Sequence, residues 1–250
     1  MNKPGLNNLH ITPNWGLFVG QFNDNRLHRH YALQLCISAA EDFCVADEKE
    51  AVHSFSGCFI NSNVNHRFSS DGPVLILLVN PISRIGHSLY QGHSEGKIVC
   101  LQAPLFHKLQ EVFLEHITGK SSFSLLVQQV AMLFHSATEQ HVLSHKITDD
   151  RIYRAIGYLE QHFDRVVSLE EIASFCHLSA TRFQHLFKEH TGLNYRRYQL
   201  WNKLIKSLEF LKSHNITETA HRSGFTDSSH YTRTFKETFG LSPKVITSLK

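Results

Sequence analysis

The sequence has no C-x-x-C pair, and its five cysteines, Cys36, Cys44, Cys58, Cys100 and Cys176, are odd in number and widely spaced. That argues against a structural zinc site and against a disulfide framework, and it fits a reducing compartment. It also lacks an apolar run of bilayer length. The longest, Val74 to Val79, is far shorter than the roughly 20 residues of a spanning helix, and Met1-Asn2-Lys3-Pro4-Gly5 leads into no apolar stretch of signal length. The reading is a soluble, cytoplasmic protein without a membrane partner. Strong charge is missing as well, since the chain of 250 residues is only +3. The charge is nevertheless uneven: residues 150–250 hold 15 Lys and Arg against 10 Asp and Glu, whereas residues 1–149 hold 10 against 12. Only the second half has the sign that suits phosphates, although so modest an excess is also what a solvated face carries. Hydrophobic residues make up 42% of the chain, enough for two compact domains with real cores. The 19 histidines scatter instead of clustering at ligand spacing.

From Trp15 to about Val99, short apolar runs such as Leu33–Ile37 and Val74–Val79 are broken by Gly, Asn, Pro and Ser. These are strand signals without intervening helical patterns, and they predict a small antiparallel barrel or sandwich over residues 1–100. The period changes from Ala103. Leu105, Leu109, Val112, Phe113 and His116 recur at helical spacing, and after Gly119 a second apolar helix is expected from about Phe123 to Ser136. This hairpin, residues 101–140, is either a dimerisation element or a layer packed on the barrel. Residues 141–149 read as a polar connector in which Thr148 or Asp149 caps the next helix. Beyond it Ile152, Ile156, Leu159 and Phe163 mark one helix face, and residues 146–250 read as all-α.

That second domain contains a repeat. Phe187-Lys-Glu-His-Thr-Gly-Leu193 returns as Phe235-Lys-Glu-Thr-Phe-Gly-Leu241, 48 residues later, with five of seven positions identical. Upstream, Ala173 matches Ala220 at an offset of 47, so one residue has been gained near the turn. In the first copy Ser168 and Glu171 form an S-x-x-E capping box, a turn around His177 follows, and Ser179 caps a second helix burying Phe183, Leu186 and Phe187. Thr181, Arg182, Gln184, His185 and Lys188 then face outward, with no carboxylate before Glu189. In the second copy Gly224 permits the turn, Asp227 caps, Tyr231 and Phe235 are buried, and Ser228, Ser229, Thr232, Arg233 and Lys236 are left for contacts. Such faces suit base edges and phosphates. Ser179, Lys188, Arg196 and Lys236 are the candidate phosphate contacts. Tyr195 to Lys212 reads as a connecting helix of about 18 residues, or roughly 27 Å, which can hold two reading helices near the ~34 Å repeat of B-DNA. The competing explanation of one such unit is an ordinary helical hairpin; two copies on a spacer favour DNA reading.

With Ser223-Gly-Phe-Thr-Asp-Ser-Ser-His-Tyr-Thr-Arg-Thr-Phe-Lys236 followed by Gly240-Leu-Ser-Pro-Lys244, the chain resembles the AraC/XylS family of bacterial transcription regulators over about Asp150 to Ser248. The resemblance implies a seven-helix DNA-binding domain, with base contacts falling on Thr181, Gln184 and His185 in the first unit and on Ser228, Ser229, Thr232 and Arg233 in the second. There are departures. Thr219 stands where the family usually has an apolar residue, Ile246 where a tyrosine is common, and Asn194-Tyr195 replaces the usual Ser-Pro. The second unit should therefore pack less tightly, and the first should dominate specificity.

In the amino-terminal half, Arg26-Leu-His28-Arg-His30 through Gln34, and Gly57 through His66, resemble the two short motifs of cupin barrels. Metal cupins surround an ion with an H-x-H, a carboxylate and a later His. Here Gln34 takes the carboxylate's place, which favours a metal-free pocket where His28, His30, Gln34 and His66 meet an effector; a real metal site and merely structural histidines remain the alternatives. Packing rather than redox sensing is expected of Cys36, Cys44, Cys58 and Cys100. The chain is thus expected to be a transcription regulator, an activator rather than an enzyme, with no cofactor. It should bind promoter DNA as a homodimer, with RNA polymerase as a further partner and a small molecule or protein as effector. The rival readings are a metal-dependent cupin enzyme with a helical assembly tail and a regulator controlled by a protein partner alone.

Overall fold

The computed structural model describes residues 8–21, 27–93, 97–101, 104–144, 150–162, 165–211, 213–240 and 242–244. The amino-terminal strands are β1 (Asn8–Ile11), β2 (Trp15–Gly20), β3 (Leu33–Ser38), β4 (Phe43–Ala46), β5 (Val52–Phe55), β6 (Gly57–Ile60), β7 (Arg67–Ser69), β8 (Val74–Val79) and β9 (Ile98–Cys100). They form a six-stranded sheet, ordered β1-β2-β8-β3-β6-β9, and a three-stranded sheet, β5-β4-β7, with every pairing antiparallel. The expected barrel is thus, among the described residues, two sheets with open edges. Both faces of the larger sheet are buried, which is why β3 and β8 read as nearly unbroken apolar runs. Leu33, Leu35, Ile37, Leu75 and Leu77 point into one core, and Cys36, Ile60, Val74 and Ile76 into another shared with Phe43, Val45 and Phe68 of the smaller sheet.

The first of these cores is closed by helices. One of them, α1 (Arg84–Gly92), interrupts the stretch expected to be all strand. Its signal was a Ser83 cap followed by Ile85 and Leu89 one turn apart, and Ser83 Oγ does accept from the Gly86 amide at 3.0 Å. Helices α2 (Pro104–Ile117) and α3 (Phe123–Ser144) lay Phe106, Leu109, Phe113, Leu126, Val130 and Phe134 on the sheet. Their main apolar faces are therefore accounted for by the sheet. Helix α3 runs through Ala137–Ser144, where no Gly or Pro stops it, into the expected connector; Thr148, Asp149 and the rest of residues 145–149 lie outside the described residues.

The carboxyl-terminal domain comprises α4 (Asp150–Gln161), α5 (Leu169–Phe175), α6 (Ala180–Thr191), α7 (Tyr195–Leu211), α8 (Ile216–Arg222) and α9 (Ser228–Phe239). Six helices are thus described there against the seven expected, with Pro243 and Lys244 helical at the edge of the described residues. Phe163, Lys212, Leu241 and Ile246 lie outside them. Two cores flank α7: Ile156, Ile172, Phe183, Phe187 and Tyr195 on one side, and Trp201, Leu204, Ala220, Tyr231 and Phe235 on the other. No helix among the described residues is long and apolar enough to cross a membrane.

Candidate nucleic-acid interface and interdomain histidine cluster

The two sequence copies fold as two copies of one device, α5–α6 and α8–α9. In each, the residue in the turn has positive φ, 54° at His177 and 69° at Gly224, and its amide bonds the carbonyl three residues earlier, Ser174 or His221, at 2.9 Å. The offset is 47 through Leu178 and Phe225 but 48 from the caps Ser179 and Asp227 onward, so the gained residue is Thr226, between turn and cap. Both α6 and α9 end on left-handed glycines, Gly192 and Gly240. The expected capping box of α5 forms only by half. Ser168 Oγ accepts from the Glu171 amide at 3.1 Å, but the Glu171 carboxylate turns to Arg165 and to Tyr158, whose hydroxyl donates to it at 2.7 Å. Those partners, Arg165 first, hold it down to about 2. The complete box belongs to α8, through Asn215 and Glu218.

Thr181, Arg182, Gln184, His185 and Lys188 are exposed along α6, while Phe183, Leu186 and Phe187 are buried. On α9, Ser229, Arg233 and Lys236 are exposed, and Ser228 and Thr232 half-buried. Arg196 is exposed at the start of α7. Two local differences distinguish the faces. Ser179 caps α6 with a neutral hydroxyl, accepting from the Arg182 amide at 3.3 Å, whereas α9 is capped by the Asp227 carboxylate, held below its ordinary value first by the His230 amide. An anionic cap uses the helix N-terminus that a phosphate would otherwise occupy. His185 is also engaged, 3.6 Å from Glu189 one turn on.

The second unit carries the packing defect that its sequence implies. Thr219, equivalent to Ile172, is fully buried, and its hydroxyl has no hydrogen-bond partner among the described residues. A buried unpaired hydroxyl costs about 1–3 kcal/mol. Thr219→Val, which keeps the shape and removes the oxygen, is expected to raise stability by about 1 kcal/mol in urea denaturation; an unchanged or lower midpoint would show that the hydroxyl is satisfied.

What the sequence did not reveal is that the sheet domain holds the carboxyl-terminal ends of both outward-facing helices. At α6, the His190 carbonyl accepts from Gln91 Nε2 at 3.0 Å and lies 3.1 Å from His87 Nδ1, both on α1. At α9, the carbonyls of Glu237 and Thr238 accept from the amides of Tyr31 and Ala32 at 3.0 and 3.2 Å. The Arg197 guanidinium lies 4.0 Å from the centre of the Tyr31 ring and 3.7 Å from the Glu237 carboxylate, and Trp201 Nε1 donates to the Pro13 carbonyl at 2.9 Å. Between the domains a narrow apolar cleft of about 30 Å³ is lined by residues including Leu9, Ile11, Ile76, Leu78, Ile205 and Phe239.

The histidine set does come together, at this same junction. His28 and His66 pair through their backbones at 2.9 Å in both directions, and the ring centroids of His28, His30 and His66 lie 4.5 to 5.8 Å apart. A nitrogen from each falls within 4.8 Å of the others. His30, His66 and Gln34 are buried. Burial, then neighbouring histidines, depresses His30 to about 4 and His66 to about 3, so both rings are neutral at neutral pH. Of the cysteines, Cys36 and Cys58 are buried as expected, with burial first raising the Cys58 thiol, but Cys100 is exposed.

Residues 172–247 match the model of a helix-turn-helix domain family. The HTH-type transcriptional activator RhaS of Escherichia fergusonii is 38% identical over 101 residues, 40% of this chain, and that of Salmonella schwarzengrund is 36% identical over 100 residues, 39% of this chain. The chain spans only 36% of the length of either relative. In fold, ToxT from Vibrio cholerae O395 is similar over 95% of this chain and 98% of its own, with a TM-score of 0.54 and 14% identity. ToxT from strain SCE256, solved with an unsaturated fatty acid bound, is similar over 97% of this chain and 95% of its own, with a TM-score of 0.50 and 14% identity.

Proposed function

We propose that the protein is an AraC/XylS-type regulator, a sequence-specific, cytoplasmic transcription activator and not an enzyme, a reading supported by the helix-turn-helix match over residues 172–247 and by the likeness of the carboxyl-terminal domain to RhaS. It reads promoter DNA with α6 and α9. The observation that carries this is the doubled unit: two helices with turns and caps at matched positions, each exposing cationic side chains, Arg182 and Lys188 on α6 and Arg233 and Lys236 on α9, at the two ends of a 17-residue helix about 26 Å long. Thr181, Arg182, Gln184 and His185 contact bases from α6, and Ser228, Ser229, Thr232 and Arg233 from α9. Ser179, Lys188, Arg196 and Lys236 contact phosphates. The first unit dominates specificity, because its helix start is free of carboxylate and its contact side chains are longer.

The sheet domain senses an effector and transmits it through its grip on α6 and α9. The apolar lining of the cleft favours an apolar effector, a reading supported by the fatty acid bound in ToxT, but at about 30 Å³ the cleft must widen, the two domains parting, to admit one. A homodimer forms through the outer sides of α2 and α3, where Leu114, Leu125 and Met132 stay exposed, and RNA polymerase is a partner at the promoter.

Salt tests the DNA reading. Of the four candidate phosphate contacts per chain, Lys188, Arg196 and Lys236 are cationic, so log K for a bound duplex should fall against log salt with a slope of about −3 per chain, at about −0.9 per neutralised phosphate. Lys188→Ala should make the slope shallower by about 1. A salt-independent affinity would contradict it.

A further inference from the structure

We infer that His28, His30 and His66, with Gln34 beside them, form a site for a divalent transition-metal ion, Zn²⁺ by preference, that clamps the sheet domain to the end of α9. Lone-pair directions argue for it. A carbonyl oxygen only accepts, so the contact of His66 Nδ1 with the Val64 carbonyl at 2.9 Å puts the ring proton on Nδ1. Nε2 is then a bare lone pair, buried, with no partner among the described residues. His30 has one ring proton for two acceptors, the Ala32 carbonyl at 3.1 Å from Nδ1 and Gln34 Oε1 at 2.8 Å from Nε2. With the proton donated to Ala32, its Nε2 lone pair faces another lone pair. A cation relieves that contact. A backbone carbonyl fixing Nδ1–H and leaving Nε2 outward is how proteins orient histidine ligands, and imidazole nitrogen suits Zn²⁺, Ni²⁺ and Cu²⁺.

The donors are not yet at bonding distance. An ion about 2.0–2.1 Å from each nitrogen needs them within roughly 3.4 Å of one another, so nitrogens that now lie within 4.8 Å of one another must close by up to about 1.4 Å. That closure bears on α9. A Cβ on Gly240, the cap of α9, would lie 2.7 Å from His30 Cδ2 and 3.5 Å from His28 Nε2. Tyr31 and Ala32, which bond the last carbonyls of α9, follow His30 directly. The ion thus fixes the segment that positions the second unit. The metal-free competitor is a turned Gln34 amide, donating to His30 and accepting from the Cys36 thiol, which lies 3.0 Å from its other end.

The consequence for DNA rests on the reading of α9 given above, but the site is tested without DNA. Chelator-treated full-length protein is titrated with Zn²⁺ by calorimetry and with Co²⁺ by visible absorption, and amide exchange is followed at Tyr31 and Ala32. The site predicts one ion per chain, Co²⁺ ligand-field bands, at least tenfold weaker binding in His28→Ala, tighter binding in Gln34→Glu, and slower exchange at both amides when loaded. His28 is only half-buried, so its variant should fold, and Gln34→Glu keeps shape while adding the charge that a cation gains from. Zn²⁺ binding that ignores both substitutions belongs to other histidines and overturns the site. Ion binding without slowed exchange overturns the clamp. A loaded, clamped protein that binds no DNA would instead refute the DNA reading and leave the metal site standing.

Discussion

Phe235→Ala should destabilise the protein by about 3–5 kcal/mol, the usual cost of emptying a buried phenylalanine, and should remove the second unit from use. Phe235 is 1% exposed and stacks edge-on against Tyr231 and Phe239. Its core joins α7, α8 and α9 to Ala32 and Leu78 of the sheet domain, so its loss loosens the turn of the second unit and the domain contact together. Denaturation read by fluorescence should show the lowered midpoint, and binding to a two-patch site should fall to what the first unit alone supports. Phe175→Ala, at a side chain 39% exposed on α5, should cost far less. Equal losses at both positions would mean that the Phe235 core does not hold the domain together.

Gln184→Ala should change which sequence is bound, while Lys188→Ala should weaken all sequences alike. Both residues are exposed on α6, but Gln184 lies on the turn nearer the N-terminus and offers an amide, donor and acceptor at once, which can pair bidentately with adenine and is worth about 1–3 kcal/mol of discrimination. Lys188, one turn on, is a point charge suited to phosphate. Measured on a panel of single-base variants of a bound site, Gln184→Ala should flatten the preference at one or two positions. A uniform loss across the panel would remove Gln184 from base reading.

The sequence made the second domain legible because short-range signals set its form: helical spacing, the caps Ser179 and Asp227, glycines at 192, 224 and 240, and a repeat that aligned the two units. It missed where Glu171 goes, because Arg165 and Tyr158 offer its carboxylate stronger partners than the cap backbone, and proximity of that kind is tertiary. Helix α1 was hidden by the polar His87, which faces the end of α6, and Ser88, whose hydroxyl donates to the Arg84 carbonyl within the helix. The grip of Tyr31, Ala32 and Gln91 on the ends of α6 and α9 could not be read at all, since it is made largely by backbone groups more than 90 residues apart. Of the histidine set, two short motifs suggested the members, but only the fold shows that they meet beneath Gly240.

The most direct test of the central claim is selection of bound duplexes from a random DNA library by the full-length chain. Two units on one spacer predict a single asymmetric motif with two patches about ten base pairs apart, the patch lost in Gln184→Ala being the stronger. No enriched sequence even at low salt would contradict the account.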